Sequence, residues 1–218
     1  MEAILAFTGT GGNPAPADHS PAEDWQYGYG GWDGERGGLK GFTLLPHRTG
    51  TSWQGGAQWP DAGLGWVRLT AEGGHPGNDR DHASVRRWTA PREGEYSLTS
   101  TLTHEPDAGD GIRAFVAHGT RGLLCSSTLR HGAAELNTGK LSLKAGDTVD
   151  FITDINETLE SDQFLWRIHI QASDSSSGLP AEWRSDVDFP AAAEAKPLTP
   201  WEQLAQTLML TNEFLFTD

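Results

Sequence analysis

Four stretches of this chain alternate inward and outward residues with a strict period of two. Tyr96, Leu98, Ser100 and Leu102 form one set, and Ile112, Ala114 and Val116 another. Val149 and Phe151 follow, and then Phe164, Trp166, Ile168 and Ile170. Successive side chains of a β-strand point to opposite faces, so this period buries one face and leaves the other free. A helix would need apolar residues three and four apart. Gly65–Leu69 fits the same rule, with Val67 and Leu69 on one face. So does Ala83–Thr89, where Arg86 and Trp88 share one side and Val85 and Arg87 the other. Leu141 and Leu143 lead into an Ala145-Gly146-Asp147 turn. Seven or more short strands separated by turn residues predict an all-β, antiparallel β-sandwich. The long loops point to a jelly-roll type, and the 27 glycines suit many turns.

The length of 218 residues suits one such domain with flanking segments. Residues 1–23 are rich in Gly, Pro and Ala and read as a flexible N-terminal extension. The sandwich module is expected over 24–171. A linker is expected over 172–197, starting Ser-Asp-Ser-Ser-Ser-Gly, with Trp183 and Phe189 as anchors. Over 198–218 the pattern changes to a short C-terminal α-helix. Thr199 can cap its first turn, Pro200 fits the first helical position, and Glu202 completes a capping box. Trp201, Leu204, Leu208 and Leu215 then recur at helical spacing.

Charge removes several functions. The formal net charge of −14 repels phosphate backbones, so nucleic acid is not an expected partner. Sulfated or carboxylated glycans are disfavoured for the same reason, unless a cation bridges. No apolar run reaches the roughly 18–20 residues that span a membrane. The lone Cys125 can form no internal disulfide and leaves the redox compartment open. Ala3 to Phe7 is too short for a signal-peptide core, and no basic residue precedes it.

Aromatic rings in Gly-rich segments are the leading candidates for a site. Tyr29, Trp32, Trp53 and Trp59 occupy such segments, with Gln54, Gln58 and Asp61 as polar neighbours. Sugars offer flat C–H faces to indole and phenol rings, and amides and carboxylates bind their hydroxyls. Each ring also reads as cover for the ends of the core. The loop Glu72–His82 brings His75, Asp79, Asp81 and His82 together. Its Gly-Gly and Pro-Gly steps read first as tight turns. Glycan contact and cation binding are further readings of this loop, while the spacing argues against a helical zinc motif. Arg86 and Arg87 read as ion-pair or cation–π partners, or as a clamp on an acidic sugar. No Gly-x-Ser-x-Gly elbow occurs, and no phosphate-binding glycine loop opens a helix.

The segments Trp25–Gly30, Leu64–Asp79, Ser84–Pro91 and Lys144–Asp154, with the tail PWEQLAQTLMLTNEFLF, resemble parts of large planctomycete cytochrome c-type proteins. The first four resemble the β-sandwich module embedded in those proteins, which is similar to non-catalytic carbohydrate-binding modules. The tail resembles their closing segment. The chain has no Cys-x-x-Cys-His, so no haem is expected. The resemblance implies a module that holds a larger exported protein on a polysaccharide, in the periplasm or outside the cell. It also implies a structural calcium ion, for which Asp107, Asp110, Asp147, Asp150, Asp154 and Asp162 are candidates without a complete ligand set. A structural module that packs within its parent or self-associates through the terminal helix is the alternative. A glycan-degrading enzyme would need two opposed carboxylates in a cleft.

Overall fold

The computed structural model describes residues 19–174 and 179–190. In chain order the strands are β1 (Trp25–Asp33), β2 (Gly38–Leu44), β3 (His47–Arg48), β4 (Ser52–Gln54), β5 (Arg68–Thr70), β6 (Gly73–His75), β7 (Ala83–Thr89) and β8 (Gly94–His104). They continue with β9 (Ile112–His118), β10 (Gly122–Leu129), β11 (Gly132–Glu135), β12 (Thr138–Leu143), β13 (Thr148–Ile155), β14 (Phe164–Ala172) and β15 (Glu182–Arg184). The described helical residues are two short 3-10 turns, Pro21–Asp24 and Arg80–His82. The helix expected over 198–218 lies outside the described residues.

The strands form two antiparallel sheets. The six-stranded sheet runs β10-β9-β13-β7-β1-β2. The nine-stranded sheet runs β11-β8-β14-β6-β5-β4-β3, with β12 paired to β8 and β15 to β14. The chain changes sheet between β2 and β3, β6 and β7, β7 and β8, and β8 and β9, and again between β10 and β11, β12 and β13, and β13 and β14. Both inner faces therefore draw on residues distant in sequence, and one core fills the space between them.

That core contains the period-2 sets. Leu98 and Leu102 from β8, Ile112 and Val116 from β9, Phe151 from β13 and Trp166, Ile168 and Ile170 from β14 are all buried in it. Trp88, Tyr96 and Trp183 meet edge to face or tilted, with centroids 5.1–5.9 Å apart. Such pairs add to the burial of their area. Arg86 also points inward, as its alternation with Trp88 requires. It is buried and donates to the carbonyls of Thr70, Ala71, Gly73 and Ser185, with Tyr27's ring 5.9 Å away. It therefore ties one sheet to the other and cannot clamp a sugar. Arg87 points the other way, pairing with Asp150 at 2.6 Å and lying over Phe42 at 4.0 Å.

Two segments differ from the sequence reading. Trp32 lies inside β1 and stacks on Phe115 at 4.1 Å, on the outer face of the six-stranded sheet. In the stretch read as a linker, β15 extends β14 and Trp183 is buried, donating its indole N–H to Asp24 at 2.7 Å. This part of the segment is integral to the sandwich.

Candidate functional site

Strand parity builds the site. In β5 and the residue before it, Val67 and Leu69 enter the core, so Trp66 and Arg68 face outward. Arg68 pairs with His75 of β6 in register, which sets the imidazole on the same outer face. The loop from Gly55 to Gly65 then folds Trp59 back onto them. Asp61 closes that loop by accepting from the Gly63 and Leu64 amides at 2.9 and 2.8 Å and by pairing its backbone with Gly65. Those amide bonds hold its carboxyl below the usual range. Gly65 has φ +63, and a side chain there would strike Asn78, so glycine is required at this corner.

The result is a compact group of three rings and one cation. Trp59 and Trp66 meet edge to face at 4.8 Å, and Trp59 donates its indole N–H to the Trp66 carbonyl at 2.9 Å. His75 lies 5.6 Å from Trp66 and 6.1 Å from Trp59. The Arg68 guanidinium covers Trp59 at 3.7 Å. Trp66 remains 37% exposed, so an indole surface is open to solvent. His75 is buried, and burial with the nearby Arg68 charge lowers its pKa. Its Nδ1 lies 2.7 Å from the Pro76 carbonyl, which can only accept. Nδ1 therefore carries the proton, and Nε2 is an acceptor when the ring is neutral. The buried Arg68 Nε–H has no protein acceptor among the described residues.

These side chains line a cleft of about 450 Å³ whose far wall is Leu159, Ser161 and Gln163. A second hollow of about 150 Å³ shares Arg68 and Gln163 and continues past Thr70, Thr103 and Leu165. Along β8 and β14 the same outward parity brings Thr101, Thr99, Arg167 and His169 to a third hollow of about 400 Å³. Together these form a strip across the outer face of the nine-stranded sheet. One end is aromatic and the rest carries hydroxyl, amide and charged groups. It can stack an apolar ring face and bond its hydroxyls as donor and acceptor.

Of the residues expected at a glycan site, Trp59 and His75 come together here, and Gln58 is exposed in the loop before Trp59. Asp61 braces the loop that carries Trp59, and the others lie elsewhere. Tyr29 stacks on His82 at 5.8 Å and packs on the core. Trp53 faces the core and stacks on Tyr27 at 6.2 Å. Gln54 is buried, held by Ser52 and by the Gly56 carbonyl. Asp79 caps the turn Arg80–His82 and bonds His82 at 2.7 Å. Trp32 belongs to the opposite sheet. Trp66, Arg68, Ser161 and Gln163 were missed. The parity of Gly65–Leu69 already marked the first two as outward.

The six calcium candidates separate in the same way. Asp150 and Asp154 pair with Arg87 and Arg113. Asp147 accepts from the Lys144 amide, and Asp107 meets His131 at 2.8 Å. Asp110 accepts from the Thr158 hydroxyl and the Glu157 amide. Asp162 is the exception. It is buried, and neither of its oxygens has a partner among the described residues.

No family model matches this sequence, and no curated protein matches it. Among solved structures it is similar to the PA14 sugar-binding domain from an RTX adhesin, at 10% identity and a TM-score of 0.32 over 62% of this chain and 93% of that one. It is similar also to the Podospora anserina GH26-CBM35 β-(1,4)-mannanase, at 17% identity and a TM-score of 0.31 over 58% of this chain and 25% of that one. Rabbit GITRL aligns at 12% identity and a TM-score of 0.32 over 42% of this chain and 74% of that one. TM-scores this low carry no argument for function, which rests on the chain's own residues.

Proposed function

We propose that this chain is a non-catalytic carbohydrate-binding module of jelly-roll winding. It takes a neutral polysaccharide along the outer face of the nine-stranded sheet and so localises a larger exported protein. The observation that carries this reading is the open Trp66 indole, braced by Trp59, His75 and Arg68 at the end of a polar strip. Trp66 stacks on a pyranose face. Arg68 and Gln163 donate to hydroxyls, and the neutral His75 Nε2 accepts. The net charge of −14 favours a neutral ligand over an anionic one.

The test is native electrophoresis through gels containing neutral and acidic polysaccharides, with Trp66→Ala beside the unaltered chain. Retardation by a neutral polysaccharide that Trp66→Ala abolishes is the expected result, with no release of reducing sugar. Retardation unchanged by Trp66→Ala would overturn the site. No retardation across the panel would overturn the function in favour of a structural module.

A further inference from the structure

Arg167 is the uncommitted cation of the polar strip. It lies on β14 in register with Thr101 of β8, is exposed, and has no hydrogen bond, ion pair or ring contact among the described residues. Every other described arginine has one. Arg68 lies on Trp59, Arg184 meets Asp186 at 3.4 Å, and those elsewhere bind carbonyls, carboxylates or rings. A rigid fork of N–H donors is therefore left open in the hollow of about 400 Å³.

The groups around it decide what it can hold. Glu135 accepts from the Thr101 hydroxyl at 2.9 Å, Glu182 lies 2.8 Å from His169 Nε2, and Asp186 faces Arg184. Each carboxylate keeps acceptor capacity, since an ionised carboxylate has about four lone-pair sites. An anionic group at Arg167 would meet all of these negative charges. A pair of neighbouring sugar hydroxyls meets no such penalty, because it accepts from the guanidinium and donates to a carboxylate. No Trp, Tyr or Phe lines this hollow, so hydrogen bonds rather than stacking hold a sugar there.

Register ties the hollow to the aromatic cleft. Gln163 lines the cleft, and β14 then sends Leu165, Arg167 and His169 outward opposite Thr103, Thr101 and Thr99. At about 3.3 Å per residue, Arg167 is ~13 Å beyond Gln163. One pyranose cannot touch both, while an extended chain of several can. The row of threonine hydroxyls on β8 carries the chain between them.

We propose that Arg167 anchors a second sugar subsite, so that the strip takes an extended neutral chain and prefers long fragments to short ones. This rests on the glycan reading above and adds to it a length requirement that the Trp66 platform alone does not impose. Once one part of the chain stacks on Trp66, the hydroxyls near Arg167 are held there at high local concentration, and the two weak sites act together.

The neutral polysaccharide that retards the chain in the gel is cut by partial acid hydrolysis, and its disaccharide and hexasaccharide are titrated by calorimetry. The hexasaccharide should bind at least about 10-fold more tightly. Arg167→Met keeps the stem and removes the fork. It should collapse that preference to within about 2-fold, with Tm moved by less than about 2 °C, because Arg167 has no partner to lose. Lys40→Met makes the same change of charge on the opposite sheet and should keep the preference. Trp66→Ala should weaken the binding of both fragments. Equal affinity for the two lengths, or a preference that survives Arg167→Met, would overturn the second subsite and leave the Trp66 platform standing. Collapse of the preference in Lys40→Met as well would mean that net charge acts instead, and would overturn it too. A chain that no neutral polysaccharide retards would overturn both readings together.

Discussion

Trp53 and Trp66 belong to neighbouring segments and serve opposite ends. Trp53 sits in β4, opposite Leu69 of β5, and turns into the core against Tyr27. Trp66 precedes β5 by two residues and turns outward beside Arg68, with 37% of its surface open. Both lie close to Gly-rich sequence, and Trp53 has the more inviting neighbours in Gln54 and two glycines. Composition around a ring therefore misleads here, while its parity relative to the core residues of its strand assigns it correctly. Trp66 and Arg68 are out because Val67 and Leu69 are in.

Substitution at the two rings should separate their roles most sharply. Trp53→Ala removes a ring packed on the core and should cost about 3–5 kcal/mol of stability, read by denaturant or thermal unfolding. Its folded fraction should still bind polysaccharide. Trp66→Ala should do the reverse, weakening binding by about 30-fold, ~2 kcal/mol, with Tm nearly unchanged. Isothermal titration on both variants checks the pair. If Trp53→Ala abolished binding in a fully folded protein, or Trp66→Ala unfolded the chain, the division between core ring and platform ring would collapse.

The same contrast shows what was legible in the sequence. The strands with clean alternation, β8, β9, β13 and β14, bury the residues their period selects. Burial on one face leaves its mark on local sequence, so the sandwich follows from it. The aromatic cleft does not, because its walls come from the 59–75 and 159–163 stretches, which β14 pairing with β6 brings side by side. Glycines misled in a specific way. Those around Tyr29 and Trp32 marked the segment as a site for exposed rings, yet Gly28 and Gly30 lie in β1. Added side chains there would strike the Phe42 ring at 2.5 Å and the Gly41 carbonyl at 2.1 Å. They serve close approach of β2 rather than a turn. β15 was hidden because three residues between small and polar neighbours carry no period.

Arg68 sharpens the outward half of the comparison. Its guanidinium lies on Trp59 and its Nε–H has no acceptor among the described residues, so it both braces the platform and offers a donor. Arg68→Met keeps the stem and removes charge and donors. Binding should weaken by about 10-fold, ~1.4 kcal/mol, with a loss of stability below about 1 kcal/mol. Arg68→Lys should recover little of the binding, because an ammonium lacks the flat fork that covers the indole. Full rescue by lysine would mean that charge alone matters and that the stack on Trp59 is incidental.

His75 gives the smallest effect and tests whether the platform is tuned as well as exposed. Its pKa lies below the ordinary 6.5 because burial, and then the charge of Arg68, oppose protonation. Above pH 6.5 the ring is neutral in both the folded and the unfolded chain and contributes no pH dependence. As pH falls below 6.5, the unfolded chain gains a proton that the folded chain still refuses, so stability drops until the lowered folded pKa is passed. One group can produce a slope no steeper than about 1.4 kcal/mol per pH unit. His75→Gln should remove that part of the slope, which the difference between the two proteins' unfolding profiles isolates from other titrating groups. Binding should weaken by a few fold only at the acid end of that interval, as pH passes through the lowered folded pKa, because protonation at Nε2 then converts an acceptor into a donor. Trp53→Ala, on the core side of the same strands, should leave this pH profile of binding unmoved. A profile that shifted with Trp53 but not with His75 would place the sensor inside the sandwich rather than at its aromatic rim.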